Sequence, residues 1–313
     1  MRITQSMLIR TALNDVTQQR LRLSRIQEQA SSGLSINRPS DDPTGASAAM
    51  LLRAGIDATS QYQANLTQAR NRVGTIESAL GGTMDLLIQA RETATQGATG
   101  TESAQTRDIL ALEIERIHEG ILSQANTQSG GAFVFGGFST DSAPFVAAGP
   151  FVDGSPAPVV NYAGDSNETQ TPVDDRISAA TTLDGARIFL GDADGNGLTD
   201  PGAENLFGVL GDLRDALRAN DQTAVAAALP RLSGAIEQIS LARAKVGMTD
   251  TKIADLEARL ASRKTDLQTR LSDTQDADVA AVFTDLVNQQ AALQATLDST
   301  TRVIQPSLLE FLR

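Results

Sequence analysis

Apolar residues recur at alternating spacings of three and four along the first part of the chain. The positions concerned are Ile9, Ala12, Val16, Gln19, Leu23, Ile26, Ala30 and Gly33. This spacing places them on one face of a helix and is typical of a coiled-coil seam, with Gln19 as a polar interruption. Gly33 suits the end of such a helix, because glycine adopts the left-handed backbone conformation readily. The pattern predicts an N-terminal amphipathic helix with a partner helix.

The same periodicity returns in later stretches, at about residues 52–87, 110–125, 206–217, 230–271 and 279–311. One of these helices is predicted to begin at Pro230, since proline is tolerated at a first helical position. The last seam comprises Val279, Phe283, Leu286, Gln290, Leu293, Leu297, Thr300, Ile304, Leu308 and Phe311. The chain is therefore predicted to be mainly helical, with amphipathic helices at both ends.

Residues 140–201 have a different composition and separate the helical patterns. They hold six of the ten prolines, and ten Asp or Glu against two Arg give a local charge of -8 (-10 + 2). The short runs PVVNYA and ARIFLG favour β-strands between turn residues. We interpret this stretch as a small acidic strand-and-loop domain inserted into a helical hairpin. We expect the helical part to fold without it.

Composition narrows the classes of function. The chain has 313 residues, a formal net charge of -12, 4% aromatic residues and neither Cys nor Trp. The negative charge argues against nucleic acid and anionic membrane surfaces as partners. The absence of Cys excludes disulfides, thiol catalysis and thiolate metal sites. No run approaches the ~18 apolar residues of a membrane span, and the N-terminus lacks the apolar region of a cleavable secretory signal.

The stretch NRPSDDPTGASAA (37–49) interrupts the helical pattern with stiff, charged residues. Asp42 is suited to cap the next helix, with Pro43 at the first helical position. Pro39 holds Arg38 outside the helical conformation. The stretch is therefore interpreted as a stiff non-helical joint between a terminal helix and a helical rod. An ordinary helix–turn–helix corner is the alternative.

Two motifs resemble the flagellin-type axial proteins of the bacterial flagellum. SSGLSINRPSDDPTGASAA resembles the spoke-region signature of this family, and its two prolines are closer to the junction members than to filament flagellins. GGAFVFGGFSTDSAPF (130–145) is similar to the family's Phe-Gly-Gly motif with a downstream Thr-x-x-x-Pro-Phe. The resemblance covers about residues 1–145 and 205–313 and is weak over the insert.

The resemblance implies a mainly α fold, a long antiparallel helical rod or coiled coil of flagellin type with a small inserted β-rich domain. Residues 1–44 and 275–313 would form an inner terminal coiled-coil domain. Residues 45–140 and 201–274 would form the helical rod. Residues 141–200 would form the acidic β-rich outer domain.

A structural role is implied by the same resemblance. A junction member joins the hook, through hook-associated protein 1, to the flagellin filament and self-associates in a ring. The filament subunit stays open as an alternative, because the ending IQPSLLEFLR resembles a flagellin ending. Such a protein is expected outside the cell in the flagellum, exported by the flagellar type III apparatus with an export chaperone and without a cleavable signal peptide.

The expected assembly interface consists of the apolar positions of the two terminal seams, Ile9, Val16, Leu23, Ile26, Leu286, Leu293, Leu297, Ile304 and Phe311. The expected spoke joint consists of Asn37, Arg38, Pro39, Asp41, Asp42 and Pro43. Charge favours pairing of the two ends, since residues 1–36 carry +3 (5 - 2) and residues 270–313 carry -3 (3 - 6). Opposite charges help to set helix partners, although exposed pairs contribute little individually.

Catalysis finds little support in the sequence. The single histidine, His118, lies beside an apolar seam and has no cysteine or GxSxG serine to act with. A structural histidine explains it better than a catalytic base. The adjacent carboxylates Asp41-Asp42 and Asp174-Asp175 are explained by a helix cap and an acidic loop. We therefore expect no enzyme activity.

GDADGNGLTDPGAE (191–204) resembles the first half of a calcium loop. Its candidate ligands are Asp192, Asp194, Asn196 and Asp200, with Gly197 at the sharp turn. The twelfth position is Ala203 instead of a bidentate Glu, so a true EF-hand is not expected. A looser calcium site, as in a secreted calcium-dependent binding module, and a plain Asp/Gly turn are both open. No other cofactor is expected.

Overall fold

A computed structural model describes residues 5–100, 102–174, 177–180 and 182–311. For residues 5, 6, 8, 179 and 302–311 it describes the backbone only. Within these ranges the α-helices are α1 (Gln5–Ser32), α2 (Pro43–Gly97), α3 (Ala104–Ala125), α4 (Leu206–Arg218), α5 (Gln222–Gln275) and α6 (Val279–Phe311). The fold is mainly α, as the periodicity predicts.

Short antiparallel strand pairs lie between α3 and α4. They are β1 (Gln128–Ser129) with β2 (Ala132–Phe133), β3 (Phe145–Ala147) with β4 (Val160–Tyr162), and β5 (Gln170–Asp174) with β6 (Ile177–Ala180). In the second pair Phe145 lies opposite Tyr162 and Val146 opposite Asn161. The predicted strand in PVVNYA is thus β4.

The chain divides into two compact units, residues 1–59 with 262–313, and residues 60–261. The terminal unit holds α1, α6, the first turns of α2 and the last turns of α5. In this unit α2 and α5 pack closely at Gly55, where an added Cβ would lie 3.3 Å from Leu267 Cδ1.

The second unit has one continuous core. Buried residues recur at helical spacing on α2, α3, α4 and α5, with Leu80, Ile117, Leu213 and Ile239 each fully buried. α3 and α4 pack against each other. Each helix therefore buries one apolar face against the others, as amphipathic helices do in a bundle.

The inserted segment shares this core instead of forming one of its own. Phe145, Val160, Val173 and Phe189 belong to the same buried cluster as the residues of α3 and α4. The ring of Phe145 lies 5.8 Å from that of Phe207 on α4. Because a two-stranded pair cannot bury its apolar residues alone, these side chains pack onto the helices. The structure thus differs from the expectation of a helical part that is independent of the insert.

Two local elements also differ from the sequence predictions. α5 begins at Gln222, upstream of Pro230, because Asp221 Oδ1 caps it by accepting from the amides of Thr223 (3.0 Å) and Ala224 (3.1 Å). The run ARIFL forms a π-helical turn (Ala186–Leu190) instead of a strand. An apolar run of that length does not distinguish a strand from a helical segment.

Candidate assembly interface and joint

The terminal helices α1 and α6 pack against each other in antiparallel order. The amide of Ala277 donates to the carbonyl of Gly33 (2.9 Å) where α1 has ended and α6 is about to begin. About halfway along, Gln289 Nε2 donates to the carbonyl of Gln19 (3.3 Å). The pairing of the two chain ends predicted from the seams is present.

The face of α1 that meets α6 is the predicted seam. Each seam position from Ile9 to Gly33 is half-buried, and most residues between them are exposed. The predicted assembly residues Ile9, Val16, Leu23 and Ile26 all belong to this face. Among the described side chains of α1 none is fully buried, because a single partner helix covers only one side of the seam.

Thr300 of the predicted seam is buried, but the half-buried positions of α6 coincide with that seam only in part. These positions are Val282, Leu286, Gln289, Ala292, Leu293 and Thr296. The predicted seam mixed two adjoining rows. Leu286 and Leu293 are half-buried, whereas Val279, Phe283 and Leu297 are 55, 52 and 37% exposed. Apolar residues occupy both rows, so spacing alone could not show which row faces α1.

The second row leaves an apolar surface uncovered on α6. We call Val279, Phe283, Val287 and Leu297 the exposed apolar row; Val287 is 64% exposed. The predicted assembly residues Ile304 and Phe311 lie outside the described side chains. Within the described parts of α1 and α6 no ion pair connects the helices, so the opposite charges of the two ends act at most at long range. The polar link is made instead by Gln289, whose side chain also donates to Gln19 Oε1.

The predicted spoke joint is held by short-range polar contacts. Arg38 Nη2 contacts both carboxylate oxygens of Glu28 (3.1 and 3.0 Å), and the amide of Arg38 donates to Asp41 Oδ2 (2.9 Å). Asn37 Nδ2 donates to the carbonyl of Leu34 (3.2 Å). These bonds fix the segment between α1 and α2 in one conformation, while Arg38 and Pro39 themselves stay exposed.

Asp42 caps α2 as the sequence predicts, and α2 begins at Pro43. Asp42 Oδ1 accepts from the amide (3.0 Å) and the hydroxyl (2.7 Å) of Thr44. Hydrogen bonds from the Gly45 amide and the Thr44 hydroxyl lower the pKa of Asp42. Gly45 is required by packing, because a Cβ there would lie 2.4 Å from Asp42 Oδ2 and 2.5 Å from Ile36 Cδ1.

The Phe-Gly-Gly motif forms the root of the insert. Phe135 is fully buried, and its ring lies 5.1 Å from that of Phe189. Gly137 has φ of +68°, and a Cβ there would lie 2.3 Å from the carbonyl oxygen of Asp165. Tyr162 Oη lies 3.0 Å from the carbonyl oxygen of Phe135 and 2.9 Å from that of Asp165, so its one hydroxyl bridges the two backbone segments. The glycines are there for close approach, which the sequence alone did not show.

A buried arginine fastens the loop after β3 to the helices. Arg214 on α4 is 2% exposed. Its Nε donates to Glu115 Oε1 (2.7 Å), and its Nη atoms donate to the carbonyls of Ser155 (2.7 Å) and Val152 (3.1 Å). The guanidinium also lies 5.4 Å from the ring centre of Phe151. This residue carried no signal in the sequence beyond its place on a helix.

His118 lies under this loop and is 1% exposed. Its ring is 5.0 Å from that of Phe151 and 5.2 Å from that of Phe207. Among the described residues neither ring nitrogen has a hydrogen-bond partner. Burial lowers the pKa of His118 to about 4. The histidine is therefore neutral at pH 7 and sits in an aromatic environment with no neighbouring base or nucleophile in the described contacts.

The predicted calcium ligands lie together in one loop, but they accept hydrogen bonds from that loop. Asp192 is 4% exposed, and its two oxygens accept from the amides of Gly195 (2.8 Å) and Gly197 (2.8 Å). Burial raises the pKa of Asp192, but these amides outweigh burial and the pKa is lowered. Asp200 Oδ2 accepts from the amide of Ala193 (2.8 Å).

Asp194 and Asn196 hold each other in the same loop, since Asn196 Nδ2 donates to Asp194 Oδ2 (2.8 Å). In the described part of the chain, no group of three or more His, Cys, Asp or Glu side chains is placed to hold a metal ion. None of the helices in the described ranges combines the length and apolar character needed to span a membrane.

Comparison with known proteins gives a consistent assignment. Residues 3–140 match the bacterial flagellin N-terminal helical region. Flagellar hook-associated protein 3 of Salmonella typhimurium is 27% identical and is aligned over 100% of both chains. The flagellar filament 41 kDa core protein of Borreliella burgdorferi is 36% identical, but over only 32% of this chain and 30% of its own.

A solved structure agrees at the level of the fold. Flagellar hook-associated protein 3 from Legionella pneumophila superposes with a TM-score of 0.60 at 15% identity, covering 72% of this chain and 98% of that one. The helical termini, the joint and these matches together define a flagellin-like structural protein of the flagellar axis.

The chain is similar to the flagellin-like family of flagellar axial proteins, whose N-terminal helical region matches residues 3–140. Within that family it stands with hook-associated protein 3, which matches it from end to end, while the filament proteins match it only in part. Those relatives are structural proteins.

Proposed function

We propose that this chain is a structural adaptor that joins the flagellar hook to the filament as a ring of copies. The observation that carries the proposal is the exposed apolar row on α6, on the side of this helix that does not face α1. The end-to-end similarity to hook-associated protein 3 gives the level of the flagellum at which the chain would act.

The exposed apolar row requires a partner on physical grounds. Its four side chains are 37 to 64% exposed, although each would contribute roughly 1.5–3 kcal/mol if fully buried. Most helical stability in proteins comes from packing of an amphipathic face, and the exposed apolar row leaves part of the apolar surface of α6 unpacked. Neighbouring axial subunits would cover the row in the assembled flagellum.

The partners proposed for this surface follow from the junction position. They are hook-associated protein 1 on the hook side, flagellin on the filament side, further copies of this chain around the ring, and an export chaperone before assembly. The protein would reach the outside of the cell through the flagellar type III apparatus without a cleavable signal peptide. The role is mechanical, and no enzyme activity is proposed.

Electron microscopy of the purified protein distinguishes a junction subunit from a filament subunit. The protein is mixed with isolated hooks that carry hook-associated protein 1, and separately with filament seeds. A junction subunit caps the hook ends and then supports growth of added flagellin, but it forms no long polymer alone. Long homopolymers on the seeds would overturn the junction assignment in favour of a filament subunit.

Matched charge substitutions on α6 test the proposed surface. Phe283→Glu places a carboxylate in the exposed apolar row, whereas Asn288→Glu places one about 140° away around the same helix. We expect the first variant to lose hook capping and the second to retain it. Equal capping by both variants would show that the exposed apolar row does not carry assembly.

Calcium binding at the 192–200 loop stays a prediction. The loop brings Asp192, Asp194, Asn196 and Asp200 together, but its own amides already occupy their oxygens. A cation would have to share or displace these bonds, so weak binding is the expected outcome. A calcium-dependent binding role would be secondary to the structural one.

A further inference from the structure

The two segments that connect the terminal helices to α2 and α5 meet as a short antiparallel pair. The amide of Ser35 donates to the carbonyl of Gln275 (2.7 Å), and Ala277 donates to Gly33 (2.9 Å). Between these bonds Leu34 forms a bridge with Asp276. The chain therefore enters and leaves its terminal helices through one hydrogen-bonded crossing, and all of this lies within the terminal unit.

Gln275, the last residue of α5, is the centre of that crossing. It is 7% exposed. Its Nε2 donates to the carbonyl of Ile36 (3.1 Å), and its Oε1 accepts from Arg53 Nη2 on α2 (2.7 Å). Its carbonyl also accepts from Ser35 Oγ (3.0 Å). The side chain and the carbonyl of Gln275 thus connect the segment between α1 and α2, the segment between α5 and α6, and α2 itself.

Apolar packing closes the other side of the crossing. Ile36 is 8% exposed, and its Cδ1 fills the space that a side chain at Gly45 would need. The Ile36 carbonyl faces Gln275 while its side chain faces α2. Polar and apolar contacts therefore hold the same residue from two sides, and a network of this kind is stronger than its separate bonds.

We propose that Gln275 is a positioning residue that locks both crossing segments to α2, so that the terminal helix pair is held to the adjacent ends of α2 and α5 as one body. The spoke joint described above comprises residues 37–43 and ends at Pro43, the first residue of α2. The lock lies on the opposite, returning segment and depends on a single amide side chain. The inference concerns any axial role of the chain and does not depend on the junction assignment.

Hydrogen exchange on the full-length chain tests the lock. Gln275→Leu keeps the size of the side chain and removes its hydrogen bonds to Ile36 and Arg53. We expect the amides of Ser35 and Ala277 to exchange about 10- to 100-fold faster, the range expected for loss of a buried bond to a charged group. The amides of Ile117 and Leu213, in the core of the second unit, should exchange at the wild-type rate.

Control variants separate the lock from general stability. Gln268→Leu makes the same change at an exposed position on the same helix and should leave every rate unchanged. Gln275→Glu keeps the contact with Arg53 but cannot donate to Ile36, so it should give an intermediate acceleration. Ser35→Ala removes only one bond and should accelerate Ala277 less than Gln275→Leu does.

Two results would overturn the proposal. In the first, the amides of Ser35 and Ala277 exchange in Gln275→Leu at rates within twofold of those in Gln268→Leu. The backbone hydrogen bonds would then hold without the Gln275 side chain. In the second, the core amides of Ile117 and Leu213 accelerate together with the joint, so Gln275 serves the stability of the whole chain. If Gln275→Leu does not fold, Ser35→Ala and Gln275→Glu decide by the same comparison.

Discussion

The terminal helix pair and the helices of residues 60–261 are built from the same repeat of apolar residues, but they bury it to different extents. Among the described residues of α1 none is fully buried, whereas α3 buries Arg107, Ala111, Ile114, Ile117, His118, Ile121 and Ala125. α3 packs against α4 and the insert, whereas α1 packs against α6. The same pattern therefore gives a self-sufficient core in one region and a surface that needs partners in the other.

Removal of the insert should have the largest effect on the stability of the second unit. Replacing Asp141–Asp200 by a short linker takes Phe145, Val160, Val173 and Phe189 out of the shared core. Losses of ~2–5 kcal/mol for each of these four side chains add up to ~8–20 kcal/mol, which is as large as the ~5–15 kcal/mol stability of a typical domain. We expect the main cooperative melting transition to disappear, as followed by circular dichroism. A deletion variant that melts like the wild type would show that the helices do not need the insert.

Matched truncations compare the two regions directly. Ile117→Ala in α3 should lower the free energy of unfolding by ~2–5 kcal/mol, because Ile117 is fully buried. Leu23→Ala in α1 should leave the main transition unchanged, because Leu23 is half-buried and outside the second unit. Chemical denaturation measures both. Equal losses in the two variants would contradict the division into a self-sufficient core and a dependent terminal pair.

Acid should weaken the second unit through His118. The pKa is about 4 in the folded chain and about 6.5 when unfolded, so below pH 6.5 the unfolded state binds more protons and stability falls. The loss develops between pH 6.5 and 4 and reaches about 3 kcal/mol. His118→Leu should lack this component.

The measurement is the difference in unfolding free energy between His118→Leu and the wild type, followed from pH 7 to pH 4. Carboxylates titrate in both proteins, so the difference isolates the histidine. We expect the unfolding free energy of His118→Leu to rise relative to that of the wild type as the pH falls from 7 to 4. A difference that does not change with pH would mean that the histidine is not buried in its neutral form.

Calcium should have the smallest effect. With a dissociation constant near ~1 mM, 10 mM calcium would raise the unfolding free energy by about 1.4 kcal/mol. Titration calorimetry on the wild type, with Asp192→Ala plus Asp194→Ala as the control, measures binding directly. Absence of a wild-type signal up to several millimolar calcium would sink the prediction.

The sequence predicts the buried face of a helix well where a single apolar row exists, and less well where there are two such rows. In α1 the repeat from Ile9 to Gly33 picks out the half-buried face, because the positions between are mostly polar and the apolar exceptions, Leu13 and Leu21, are isolated and exposed. In α6 the residues Val279, Phe283 and Val287 form a second apolar row, and only the contact with Gln19 shows which row is buried. Periodicity shows that a helix has an amphipathic face, but it does not show which of two adjoining apolar rows is buried.

The joint shows a second limit of sequence reasoning. Its prolines and aspartates predict the break between α1 and α2, and Asp42 caps α2 as expected. Gln275 carries no such signal, because its partner Ile36 is 239 positions away in the sequence. A lone polar residue at a helix end is common, and only the fold shows that this one is buried, with its amide nitrogen and its amide oxygen both hydrogen-bonded. The insert likewise looked separate because its composition differs, although its phenylalanines pack on the helices.

The amide pair between Gln19 and Gln289 bears on how one subunit tells another apart. A terminal helix with an apolar residue at either position, or α6 shifted by one turn so that Leu286 or Leu293 takes the place of Gln289, would bring an apolar side chain opposite one of these amides. The amide would then lose its hydrogen bond in a partly buried interface, where an unpaired polar group costs about 1–3 kcal/mol. Mismatched pairs are disfavoured by that amount while the correct pair is not. A cell that builds several axial proteins with similar ends could use this difference to sort them.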